Sequence, residues 1–367
     1  MNVPFVDLKA QYLAIKEEID REMNNVLMES AFIRGKYVEK FEEDFAALHG
    51  GGGCLSCASG TDALYISLKT LNVGVGDEVI TTAMSWISTS QTISQTGARP
   101  VFVDIDSKYF TIDPEQIEEK ITENTKAVIP VHLYGQPADM TAILDIAKKY
   151  GIYVLEDCAQ AHFSSYGENL VGSMGIAGTF SFYPGKNLGA YGDAGAIISN
   201  DLNFLSRARM FANHGSLNKH KHEIEGINSR MDGMQAAVLS IKLKHINKWT
   251  ERRIVLSEIY EELLGQSVNV QLPLVRKNCR HVFHLFVIRS ENRDVLIKRL
   301  KERGIACQVH YPAALPFLKA YEYMHHKPED FPVAYQIQSE ILSLPLYPEL
   351  TPDMQQYVAE CIDECSF

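Results

Sequence analysis

The stretch Phe180-Ser-Phe-Tyr-Pro-Gly-Lys-Asn-Leu-Gly-Ala-Tyr-Gly-Asp-Ala-Gly195 decides how the rest of the chain is read. Residues Thr179 to Tyr183 pattern as a buried strand. Pro184 and Gly185 break it, because proline cannot donate to a ladder. Gly189, Gly192 and Gly195 then leave the backbone loose. Lys186 therefore stands where a strand gives out, and α/β proteins gather reactive groups at such ends. Taken alone, it reads as an ordinary surface cation.

Upstream, Tyr153-Val-Leu-Glu-Asp157 is a second apolar strand, ending in Glu156-Asp157 and followed by Cys158-Ala-Gln160. Alone, Asp157 is equally a helix cap or a solvated strand end. At a strand's C-terminal end it can face the same crevice as Lys186. A carboxylate there keeps a pyridinium nitrogen protonated, and a lysine amine forms a Schiff base. Pyridoxal phosphate chemistry needs that pair. A phosphate site would complete it, and Ser59-Gly60-Thr61 supplies one: a turn between a short strand and a helix, with backbone N–H groups and a hydroxyl to offer. Ser-Gly-Thr-Asp is also a common helix cap. The three pieces in this order carry the reading together.

Further motifs accompany them: Ser59-Gly-Thr-Asp-Ala-Leu64, Glu156-Asp-Cys-Ala-Gln160, Ser181-Phe-Tyr-Pro-Gly-Lys-Asn-Leu-Gly189, Gly192-Asp-Ala-Gly195, Asn228-Ser-Arg-Met-Asp232 and His310-Tyr-Pro312. This set resembles the DegT/DnrJ/EryC1/StrS family of sugar aminotransferases, pyridoxal-phosphate enzymes of fold type I. The likeness runs from Val6 to about Pro348. It implies an α/β fold with a mostly parallel seven-stranded sheet in a large domain, plus a smaller C-terminal α/β domain.

The resemblance also implies roles. Lys186 and Asp157 are catalytic. Gly60, Thr61 and Ser181 match phosphate contacts, Gln160 the residue beside the ring's 3-oxygen, and Trp86 the ring that stacks on the cofactor. Trp86 reads equally as core packing when taken alone, and His310 as a surface histidine. Asn228 sits on a loop that crosses a homodimer interface to the partner's phosphate, which makes the active sites composite. Arg230, His310 and Tyr311 would hold the nucleotide. The implied reaction moves an amino group from L-glutamate to a nucleotide-linked ketosugar (UDP or dTDP). The lysine loop resembles enzymes that aminate C3 more than those that aminate C4, although Asp193-Ala194 stands where many relatives have Asp-Gly. A dehydratase of the same family carries histidine in place of the lysine. A non-catalytic regulator or scaffold is the other alternative.

Bulk composition agrees with a soluble enzyme. The chain has 367 residues, 46% hydrophobic and 22% charged, enough for a large core and two domains. Its net charge of −11, with no basic run, argues against nucleic acid. No apolar run approaches a membrane span, and no secretory signal opens the chain, so the cytoplasm is expected. Seven scattered cysteines read as free thiols. Cys54 and Cys57 lie three apart in a strand and so face opposite ways, against a zinc site shared with Cys361 and Cys365. His214, His220 and His222 lack a completing ligand, and no metal is expected.

Along the chain, an amphipathic helix is expected to about Met28, with Leu13, Ile15, Ile19, Met23 and Leu27 near one face. A second opens after Gly35 with Val38, Phe41, Phe45 and Leu48 at helical spacing. Strands are expected at 54–56, 78–82, 100–104, 127–132, 152–155, 179–183 and 194–199, and helices at 61–71, 88–95 and 139–150. A long helix follows over 233–249. The smaller domain then reads as helix 251–264, strand 284–288, helix 294–303 and strand 306–309. The large domain is placed at 15–249 and the smaller at 250–367, with residues 1–14 packing on the latter. No Gly-x-Gly-x-x-Gly follows a strand, which counts against a dinucleotide dehydrogenase.

Overall fold

The structure is a computed structural model describing residues 1–218 and 220–365. It opens with α1 (Leu8–Ala14), α2 (Lys16–Glu29) and α3 (Lys36–Leu48). The single helix expected to Met28 is broken at Ile15, whose N–H bonds to the Tyr12 carbonyl at 3.1 Å. The break re-phases the apolar stripe: Ile15, Ile19 and Val26 are buried, whereas Leu13 and Leu27 are exposed. In α3, Val38, Phe41 and Phe45 are buried as their spacing predicts; Leu48, the last helical residue, is exposed.

Next come β1 (Gly53–Cys57), α4 (Gly60–Thr70), β2 (Glu78–Thr82), α5 (Ser88–Gln95), β3 (Arg99–Val103), β4 (Thr125–Ile129), α6 (Met140–Tyr150) and β5 (Tyr153–Asp157). A small hairpin, β6 (Ser165–Tyr166) with β7 (Asn169–Leu170), leads to β8 (Ala177–Ser181) and β9 (Gly195–Ser199). Seven of these form one sheet in the order β1-β9-β8-β5-β4-β2-β3. All run parallel except β9, which is antiparallel to both its neighbours. The mostly parallel seven-stranded sheet is thus present, with each expected strand within three residues of its place.

The strand expected at 179–183 is displaced to Ala177–Ser181. Pairing with β9 stops where Ser181 meets Gly195. Beyond it Phe182 accepts from the Ala190 N–H at 2.8 Å, which turns the chain into the loop that carries Lys186. One side of the sheet packs Phe180 and Phe182 against α3, where Phe41 and Phe45 meet them edge to face at 5.1–5.4 Å. The opposite side packs on α4 and α7 (Leu202–Phe211). Cys54 and Cys57 fall into these two different cores, Cys361 and Cys365 into a third, and all seven thiols are free.

The helix expected over 233–249 is two: α8 (Gly233–Leu243) and α9 (Ile246–Leu264). The chain turns at Lys244-His245, and α9 continues unbroken past Trp249. The remainder holds β10 (Cys279–Arg280), β11 (Phe286–Arg289), α10 (Arg293–Glu302), α11 (Pro332–Ile337), β12 (Ile341–Leu344) and α12 (Pro352–Asp363). β11 pairs antiparallel with β12. The strand expected at 306–309 is only a single bridge, Gln308 to Ser343; β12 holds the position beside β11 instead. Val3 is drawn into this C-terminal core, its N–H bonded to Gly304 O and its carbonyl to the Ala306 N–H, both at 2.9 Å. No helix among the described residues is long and apolar enough to cross a membrane.

Candidate active site

Parallel strands deliver their C-terminal ends to one edge of the sheet, where open α/β sheets bind ligands. There a cavity of about 640 Å³ opens, bounded by Asp157 at the end of β5, Ser181 at the end of β8, the start of α4 and Lys186. The Lys186 loop is tightly folded: its N–H bonds to Tyr183 O at 2.8 Å, and a Cβ on Gly189 would stand 2.3 Å from Pro184 O. Only glycine fits there. The Lys186 Nζ has no hydrogen-bonding partner among the described residues. Burial pushes its pKa down to about 8, with the Asp157 charge opposing. That brings the neutral, nucleophilic amine within reach of ordinary pH.

Asp157 is buried, and burial raises its pKa, against the pull of the Ala159 N–H, Thr89 and Lys186. Its Oδ1 accepts from the Ala159 N–H at 3.1 Å and its Oδ2 from the Thr89 hydroxyl at 2.8 Å. With its proton committed there, Thr89 Oγ1 must accept from Ser85, 2.9 Å away. A carboxylate held out of water and facing a cavity is stabilised by a cation, which a pyridinium supplies. The adjacent Glu156 faces the other way. It accepts from the Gly172, Met174 and Gly175 N–H groups at 2.7–2.8 Å and from His132 at 3.0 Å, so its role is structural.

At the start of α4, Ser59 caps the helix by accepting from the Asp62 N–H at 3.1 Å. The N–H groups of Gly60 and Thr61 have no partner within the helix, and both residues line the cavity. A Cβ on Gly60 would lie 2.6 Å from that of Ser181, so the cradle depends on glycine. Thr61 Oγ1 bonds to Ser88 Oγ at 2.7 Å, which brings the start of α5 to the same place. Two helix N-termini and three hydroxyls make an anion cradle. Cradle, carboxylate and lysine together fit pyridoxal phosphate.

Gln160 accepts from the Tyr134 N–H at 2.7 Å and donates to Tyr311 Oη at 2.9 Å. Trp86 is 59% exposed rather than packed in the core, and its ring lies 5.6 Å from that of Tyr311. His310 bonds through Nδ1 to Ser343 Oγ at 2.8 Å and stacks on Phe5; burial, with the Lys186 charge adding, lowers its pKa to about 4. All four residues line the cavity. Asn228 and Arg230 do not: Asn228 bridges Asn213, and Arg230 lies in a separate small hollow beside Arg34 and Glu42. Between them Ser229 turns inward to Asp62 at 2.6 Å.

Several cavity residues escaped the sequence. Ser88 and Thr89 carry only weak cap chemistry. His284 and Arg253 come from beyond residue 249 and could have been suspected only as polar breaks in apolar stretches. His214, His220 and His222 do not group as ligands among the described residues. His132, Glu156 and Cys158 do, within 4.8 Å. His132 Nδ1 accepts from the Ala138 N–H at 3.1 Å, so Nε2 carries the proton that Glu156 receives. That arrangement occupies both ring nitrogens of His132 and both carboxylate oxygens of Glu156.

Four likenesses bear on identity. A protein of Geobacillus stearothermophilus named pleiotropic regulatory protein is 47% identical over 366 residues, covering 99% of this chain and 98% of its own. The dTDP-3-amino-3,6-dideoxy-alpha-D-galactopyranose transaminase of Aneurinibacillus thermoaerophilus is 42% identical over 365 residues, covering 100% of each chain. The crystal structure of S. venezuelae DesV in complex with a ketimine intermediate superposes with a TM-score of 0.97 at 40% identity, covering 99% of this chain and 98% of that one. The model of the DegT/DnrJ/EryC1/StrS aminotransferase family matches residues 13–363, and the chain belongs to that family.

Proposed function

We propose that the protein is a pyridoxal-phosphate-dependent aminotransferase that moves an amino group from L-glutamate to a nucleotide-linked 3-ketosugar. The observation that carries this is the meeting of Lys186, Asp157 and the α4 cradle in one cavity. Bound pyridoxal phosphate supplies an electron sink for the electron pair left on the substrate carbon. The protein does the rest. Lys186 would hold the cofactor through Nζ, and its amine would be the group that moves a proton at the substrate carbon. Asp157 would keep a proton on the ring nitrogen, Gln160 would meet the ring's 3-oxygen, and Trp86 would cover a ring face. Gly60, Thr61, Ser88 and Ser181 would hold the phosphate.

Asn228 and Arg230 stand outside this chain's own cavity, which supports a homodimer in which each copy completes its partner's site. His310 and Tyr311 would meet the nucleotide, UDP or dTDP, from within the chain. The division into 15–249 and 250–367 belongs to this proposal; the C-terminal core, which takes in Val3, supports it. So does a cytoplasmic location, supported by seven free thiols. Amination at C3 is supported by the lysine loop and by the name of the 42%-identical transaminase. The regulatory name of the 47%-identical relative raises a second reading, a regulator without catalysis. An intact lysine, carboxylate and cradle favour the enzyme.

The test is direct. Purified protein loaded with pyridoxal phosphate should lose its yellow colour on adding L-glutamate, and regain it with a 3-keto nucleotide sugar. NMR of the product should place nitrogen at C3. No response to glutamate would favour the regulator, and a product aminated only at C4 would overturn the position.

A further inference from the structure

We propose that Arg253 is an anion subsite of the cavity, placed to hold a carboxylate of the amino donor, an inference that rests on the aminotransferase reading above. Arg253 projects from α9, is 5% exposed and lines the cavity. Its Nη1 donates to Leu346 O at 2.7 Å and to Phe283 O at 3.3 Å. Its Nε and Nη2 have no partner among the described residues. The free edge of the guanidinium is therefore the two-donor fork that a carboxylate takes side-on.

Three other partly shielded arginines are paired with carboxylates. Arg209 pairs with Glu42 at 2.6 Å, Arg289 with Glu340 at 2.6 Å and Arg276 with Asp139 at 3.2 Å. Among the described residues no carboxylate lies within ion-pair distance of Arg253. A guanidinium taken from water without an anion is costly, and a ligand anion removes that cost. Burial accordingly pushes its pKa down to about 10, with the Glu349 charge opposing.

The location fits a donor. Lys186, His284 and Arg253 all line the one cavity. Phe5, Leu344 and Leu346 line the cavity as well, and an apolar wall strengthens an ion pair. The α4 cradle lies apart from Arg253 in the chain and is assigned to the cofactor's phosphate. The nucleotide's phosphates are the other source of anionic oxygen, and the experiment must separate them from a carboxylate.

Glutarate, a dicarboxylate without an amino group, is titrated calorimetrically into the cofactor-loaded enzyme, and UDP and dTDP are titrated separately. In Arg253→Gln, glutarate affinity should fall about tenfold or more while nucleotide affinity stays within about twofold. Arg253→Lys should be intermediate, since it keeps charge and loses the fork. Unchanged glutarate affinity, or an equal loss for the nucleotide, would overturn the proposal. If Arg253→Gln does not fold, the unmodified enzyme decides through phenylglyoxal labelling mapped by mass spectrometry. Glutarate should shield Arg253 and the nucleotides should not; the reverse overturns it. Colour loss with glutamate in the unmodified enzyme tests the aminotransferase reading separately, so the subsite can fail while that reading stands.

Discussion

Asn187, the residue after Lys186, fixes the tautomer of His284. Its amide donates to Val282 O at 3.0 Å, which leaves Oδ1 to face His284 Nδ1 at 3.2 Å. Nδ1 must then carry the proton. Burial, followed by the Lys186 and Arg253 charges, holds the His284 pKa well below its usual value. The ring is neutral, and Nε2 offers the cavity a lone pair. Asn187→Ala should leave the two tautomers mixed, visible in the ¹⁵N NMR shifts of His284, and lower kcat about tenfold. Unchanged ¹⁵N shifts would show that another group sets the tautomer.

Lys186 makes stability depend on pH. Its pKa is near 8 when folded, against an ordinary value of 10.5. Between those values the unfolded chain binds more protons than the folded one, so stability rises with pH across that window. Without cofactor, Lys186→Met should be more stable than the unmodified protein below pH 8, on the order of 3 kcal/mol. The gap should close as pH approaches 10.5. Urea melts of both proteins across this range check it; a constant gap would contradict the lowered pKa.

Gly60→Ala should loosen the cradle, because its Cβ would stand 2.6 Å from Ser181 Cβ. Cofactor affinity should drop about tenfold, measured by release on dialysis. Adding Ser181→Gly should restore part of it by removing the colliding atom. No recovery in the double variant would mean that the loss has another origin.

Mixed dimers test the shared site. Lys186→Ala subunits and Asn228→Ala subunits, each inactive alone, should regain turnover when exchanged into hybrids. One of the two sites is then intact, so about a quarter of wild-type activity per subunit is expected at full random exchange. Proven exchange without recovery would sink the composite site.

What could be seen in advance was local. Strand ends at Asp157 and near Ser181, the Ser59 cap and the Pro184-Gly185 break are properties of a few adjacent residues. The partners of those groups come from elsewhere. Thr89 reaches Asp157 across the sheet order, and Arg253 arrives on a helix whose start at Ile246 no breaker residue announces. The strand expected at 306–309 fits its local pattern, yet β12 occupies the ladder beside β11. A regular period brings Leu13 and Leu27 near the buried face only in an unbroken helix, and Ile15 breaks it.

The stitching of Val3 to Gly304 and Ala306 gives the active site a schedule. Phe5 contributes wall to the cavity and stacks on His310, roughly 300 residues further along, a contact of very high sequence separation. During synthesis the Lys186 strand and its loop can be complete while that wall has nothing to lean against. A nascent chain therefore holds Lys186 long before it holds a closed pocket. Whatever that pocket binds would meet its full wall only after residues near 310 have emerged.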